Sequence, residues 1–147
     1  MNGKFSRSID RRAVEEMVKN VIEVLYEKVW AYEWWGDREG LEELKLNHCN
    51  KSIEITNYYL EKQSVVRHKP ITIAVGAIYT AGMMLNIVPG NSINRTQKEI
   101  LWRLEGTPYL ISKSSLYKIY KEIEKMIRNL NLNHKIEIKG YVKDVEN

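Results

Sequence analysis

Lys113, Lys118, Lys121 and Lys125 share a stretch with Ser112, Ser114 and Ser115, and cations among short hydroxyl side chains suit one task above others, holding a polyanion. With Leu116 set toward a core, a step of about 100° per residue places Ser114, Lys118, Lys121 and Lys125 together on the opposite face of a helix. Lysines so placed contact phosphates or guanine acceptors, and the unpaired N–H groups of a helix N-terminus hold a phosphate. Any solvated helix carries lysines, so the spacing gains weight only from the distribution of charge. Residues 1–94 carry 12 Lys/Arg against 12 Asp/Glu, residues 129–147 carry 3 against 3, and residues 95–128 carry 8 against 4. The whole net charge of +4 therefore resides in residues 95–128.

Catalytic chemistry finds no comparable grouping. His48, His68 and His134 are scattered, His48 and Cys49 are adjacent in sequence rather than set to work as a pair, and neither a glycine-rich phosphate loop nor a nucleophile elbow is present. An enzyme is not expected, nor any metal or cofactor. The single cysteine excludes an internal disulfide and a zinc site built from several thiolates, and fits a reducing compartment. MNGKFSRSIDRR lacks an apolar run after its basic residues, so no secretory signal is expected and a cytoplasmic, nucleoid-associated protein is. Trp30 and Trp34, one helical turn apart, offer an aromatic patch for a partner, although core packing is the commoner role of such a pair.

The lysine face needs a scaffold, and the apolar periodicity describes one. Asp10 is a candidate N-cap for a helix from about Arg11 to Trp35, with Val14, Met17, Val18, Val21, Leu25, Val29 and Tyr32 along one face. After turn chemistry at residues 36–40, a short helical piece, LEELKLNH, is expected. A separate element capped by Asn50 or Ser52 then runs to about Gln63. Pro70 and the pair Pro89-Gly90 frame a helix over Ile71–Val88. Thr96 and Glu99 have the spacing of a capping box for a fourth helix that ends at Gly106-Thr107-Pro108. The fifth follows Ser112, with Leu116, Ile119, Tyr120, Ile123, Met126, Ile127 and Leu130 on one stripe. The expected architecture is all-α, a single five-helix domain over residues 10–130. An arm covers residues 1–9, a helix-turn-helix about residues 95–128, and a tail or short hairpin residues 131–147.

After Lys69 no charge occurs until Arg95, and a helix over 70–88 is about 28 Å long, close to the thickness of a bilayer core. Thr72, Tyr79, Thr80, Asn86, Gly76 and Gly82 dilute that run, while four amphipathic helices need an apolar element to cover. A buried central helix is the expectation, with no membrane partner. Its glycines then mark close approach of neighbouring helices.

KPITIAVGAIYTAGMM, TQKEI and SLYKIYKEI, in that order, resemble the second cyclin-like repeat of archaeal transcription factor B and eukaryotic transcription factor IIB. Pro70, Ile73, Ala74, Ala77, Ile78, Tyr79, Ala81, Thr96, Gln97, Glu99, Tyr120, Lys121 and Glu122 fall on the family pattern, and the likeness covers about residues 67–127. The resemblance implies a cyclin-like fold whose last two helices read a promoter element beside the TATA box, with TATA-binding protein as a second partner. The family's zinc ribbon, linker and second repeat have no counterpart in these 147 residues, so a complete initiation factor is not expected. Tyr117 stands where the family has a base-contacting arginine, Ser114 where it has a valine, and the turn EGTPYLIS is longer by about five residues.

The expected function is that of a DNA-binding transcription regulator. Lys113, Ser114, Ser115, Tyr117, Lys118, Lys121 and Lys125 face double-stranded DNA, and Thr96 and Gln97 lie near its backbone. Two alternatives stand beside it: a cyclin-fold module that docks proteins, and a winged helix with residues 136–142 as the wing. A homodimer is open in either DNA-binding case, because readers of palindromes pair.

Overall fold

The computed structural model describes residues 10–27, 38–63, 66–85 and 93–132. They form five helices and, among the described residues, no strand: α1 (Arg11–Glu27), α2 (Arg38–Lys62), α3 (Pro70–Met84), α4 (Ile93–Leu104) and α5 (Lys113–Leu132). The all-α expectation holds. The expected continuation of α1 to Trp35, the tryptophans Trp30 and Trp34, and the tail over residues 133–147 lie outside the described residues.

Asp10 caps α1 by accepting the Arg12 N–H at 3.0 Å, and the helix then buries Val14, Val18, Val21, Ile22, Leu25 and Tyr26. In α2 the structure corrects the sequence reading: one helix runs unbroken where a short piece and a separately capped element were expected. Ser52 does not start a helix. Its hydroxyl donates to the His48 carbonyl one turn back at 2.7 Å, and Thr56 does the same to Ile53 at 2.8 Å. The inward face of α2 thus carries His48, Ser52 and Thr56 among Ile55 and Tyr59, all buried.

Pro70 occupies the first turn of α3, behind an extended Lys69 (φ −69°, ψ 154°). Every residue from Thr72 to Gly82 is buried, and α3 packs against all four other helices. The charge-free stretch is therefore the centre of the core, and no helix among the described residues is long and apolar enough to cross a membrane. Its helix is shorter than expected, ending at Met84. Leu85 lies in the turn that follows, its N–H still bonded to the Ala81 carbonyl at 2.9 Å. Gly76 is where α5 crosses: a Cβ there would stand 2.6 Å from Ile119 Cγ2.

A buried hydrogen-bonded chain ties α1, α2 and α3 together. His48 Nε2 lies 2.8 Å from the Ile78 carbonyl and Nδ1 lies 2.9 Å from the Tyr26 hydroxyl. A carbonyl only accepts, so Nε2 carries the proton, and Nδ1 of the neutral ring accepts from Tyr26. Burial pushes the imidazole down to about 4, against the smaller opposing effect of the Ile78 carbonyl. Burial also holds the Tyr26 phenol above its ordinary value, with Arg103 acting the other way.

α4 begins at Ile93, so Thr96 sits within its first turn and is not the cap that the Thr96–Glu99 spacing suggested. Glu99 instead pairs one turn onward with the buried Arg103, Oε1 to Nη2 at 2.6 Å. Residues 105–112 join α4 to α5, and Gly106 supplies the positive φ of 81° that turns the chain. The Thr107 hydroxyl donates to the Leu104 carbonyl at 2.7 Å and accepts the Tyr109 N–H at 3.2 Å, which gives the connector a defined shape.

Candidate nucleic-acid interface

Ser112 starts α5 as its N-cap. Its oxygen accepts the Ser115 N–H at 3.0 Å, and its hydroxyl donates to Ser115 Oγ at 2.9 Å. One N–H at the helix start is therefore taken by the cap and is not offered to a phosphate. Ser115 serves this cap and is half-buried, while Lys113 and Ser114 are exposed.

The stripe expected to face inward does so: Leu116, Ile119, Tyr120, Ile123, Met126, Ile127 and Leu130 are all buried. Tyr120 meets Tyr79 of α3 edge to face, with centroids 5.1 Å apart at 74°. Burial pushes the Tyr79 phenol up to about 12, with the charge of Glu124 adding to the effect. A second anchor holds α5 from the side. Glu122 accepts the Tyr59 hydroxyl at 2.7 Å through Oε1 and approaches His68 Nε2 at 2.8 Å through Oε2. Burial pushes the Glu122 carboxyl up, but the hydrogen bonds from Tyr59 and His68 and the nearby His68 and Arg67 outweigh it and leave the group below its usual range. Burial, with the same contact adding to it, holds the Tyr59 phenol far above its ordinary value.

With its inner face seated on α3 and its flank clamped by Glu122, α5 presents the remainder to solvent. Ser114, Tyr117, Lys118, Lys121 and Lys125 are exposed along this outward surface. Ser114, Lys118, Lys121 and Lys125 fall within about 60° of arc. Lys121 Nζ lies 3.4 Å from Glu124 Oε1, a surface pair that also involves Arg128 at 3.5 Å and leaves Lys121 half-exposed. Lys118 and Lys125 have no ion pair among the described residues. Tyr117 stands 52% exposed within the strip, and Lys121 Nζ lies 5.9 Å from its ring centroid.

No family model, curated protein or solved structure matches the chain. What the strip can hold follows from its chemistry: several cations on one rigid face, with no acidic side chain between Ser114 and Lys121, suit an extended anion.

Thr96 and Gln97 lie on α4, but their side chains are outside the described residues. Tyr59, His68 and Glu122 were not singled out by sequence reasoning as a group, because Glu122 lies 63 positions from Tyr59 and 54 from His68 and no local spacing signal joins them. His48 and Cys49 do not form a pair of reacting groups: His48 turns into the core, and Cys49 is half-buried, with burial pushing its thiol up. Among the described residues, no group of three or more His, Cys, Asp or Glu is placed to hold a metal ion.

Proposed function

We propose that the protein is a DNA-binding transcription regulator with a cyclin-like domain, and that α4 and α5 act as its helix-turn-helix. The observation that carries this reading is the exposed strip Ser114, Lys118, Lys121 and Lys125, with Lys113 exposed at the helix start, on a helix whose opposite face is buried in the core. The gathering of the whole net charge in residues 95–128 supports it. In this reading Ser114 gives room for close approach, and the lysines contact phosphates and guanine edges. Duplex DNA is the first partner, which would place the protein on the nucleoid, and the family resemblance adds TATA-binding protein.

Salt dependence tests it directly. In fluorescence anisotropy with random-sequence duplex, log affinity should fall linearly with log salt, and Lys118→Ala with Lys121→Ala should reduce that slope by about 2. Unchanged affinity and slope in the double variant would remove the assigned face.

A second reading, a docking module for another protein, draws on the groove between α1 and α2. There Leu46 is 58% exposed, beside Ile22 and Cys49 in a cleft of about 300 Å³. Loss of a co-purifying protein on Leu46→Asp, with no binding to duplex at low salt, favours that reading over DNA binding.

A further inference from the structure

Tyr117 is a large apolar ring left in solvent among cations. Lys118 follows it directly, Lys121 lies one turn on with its ammonium over the ring, and no other ring touches it among the described residues. Nearby in the chain, Trp102 of α4 is 55% exposed and Leu110 of the connector 45%. Of the large apolar side chains that stand exposed among the described residues, only Leu46 lies away from the α4–α5 unit.

An occupant that suits this arrangement needs two properties at once: negative charge at the spacing of the lysines, and a flat apolar face to lie against the phenol. Closed duplex supplies only the first. Its base faces are covered by one another, and its major groove presents edges, to which a phenol offers a single hydroxyl. Unpaired bases supply both, since every base has a face for stacking and a phosphate beside it. A folded protein partner with an acidic surface would match the lysines but has no reason to leave planar groups free.

Resting on the nucleic-acid reading above, we infer that Tyr117 is a stacking platform and that α5 holds DNA in which one or more bases are unpaired in preference to closed duplex. Lys121 occupies one side of the ring and steadies it, and the base lies on the other. Lys118, exposed and next to Tyr117 in the chain, meets a phosphate beside the stacked base.

The test uses the full chain and three labelled probes of one sequence: closed duplex, duplex with a central unpaired bubble, and single strand. Bubble and single strand should bind at least about fivefold more tightly than closed duplex. Tyr117→Leu should lose about fivefold to a hundredfold on the two open probes and little on the closed one. Tyr117→Phe, which keeps the ring and loses the hydroxyl, should bind like the parent. The ring is exposed, so both variants should melt with the parent protein. Equal affinity for closed and open probes, equal loss on all three with Tyr117→Leu, or a loss with Tyr117→Phe as large as with Tyr117→Leu, would each overturn the stacking role. Absence of binding to every probe would instead remove the nucleic-acid reading on which it rests.

Discussion

Gly76 and Ile119 meet with no space between them: a Cβ on Gly76 would stand 2.6 Å from Ile119 Cγ2 and 3.3 Å from Ile119 Cβ. The seat of the proposed recognition helix is thus a backbone-to-side-chain contact between α3 and α5. Gly82, six residues further along α3, differs in that a Cβ there would reach His48 Nε2 only at 3.4 Å, an ordinary contact.

Gly76→Ala should be destabilising and Gly82→Ala should not. Alanine gains about 1 kcal/mol of helix propensity at either site, but overpacking costs about 1–3 kcal/mol where a neighbour must shift. A net loss of about 1 kcal/mol is expected at Gly76 and a neutral or favourable change at Gly82, both read from urea denaturation. Equal effects at the two sites would contradict the close crossing.

Acid should weaken the fold through His48. The imidazole titrates at 6.5 when unconstrained and at about 4 when buried, so between those values the unfolded chain binds more protons. Its contribution is complete above about pH 6.5, shrinks as pH falls and levels off near pH 4, for a total of about 3 kcal/mol. Glu122, whose carboxyl is held below its usual 4.5, adds a loss in the same direction at lower pH. His48→Gln should be less stable at pH 7 and should lack the slope between pH 6.5 and 4 in denaturation curves taken across that range.

Removing the Tyr59 hydroxyl should loosen the clamp on α5 without emptying the core. Tyr59→Phe deletes the 2.7 Å donor to Glu122, a contact worth about 1 kcal/mol for a half-exposed carboxylate. The Glu122 carboxyl should titrate closer to its usual value in the variant, which a carbon-detected NMR titration reads directly. An unmoved Glu122 would show that His68 and Arg67 alone hold it down.

Ser112→Ala should cost about 1 kcal/mol by leaving the Ser115 N–H without its cap, whereas Ser112→Gly should cost only a few tenths. Amide hydrogen exchange in the first turn of α5 should quicken in the alanine variant. Protection unchanged at Ser115 would mean that the cap bond contributes nothing in solution.

α5 was legible in the sequence because its inward residues are apolar at every turn and Ser112 announces its start. α3 was legible as a core helix because charge is absent between Pro70 and Met84, although its end was placed too late. α2 was misread because its buried face carries His48, Ser52 and Thr56, which blur the apolar period. The same serine that marks a cap in solvent can bond back into its own helix when buried. The lysine strip follows from the spacing alone, but the clamp on Glu122 does not. Its partners come from the end of α2 and from the segment before α3, and only folding brings them together.

The seat of α5 on α3 bears on how the putting together of such a surface could be borrowed for other purposes. With residues 105–112 as a long joint to α4 and Gly76 as the point of contact, α5 takes its orientation from the central helix. Residues 93–132 cut out as a peptide would bare Ile119, Ile123 and Ile127 to water and lose the groups that clamp Glu122. The smallest transplantable unit therefore has to include α3 and the end of α2, and grafting the lysine face alone onto another scaffold would carry its charge without its aim.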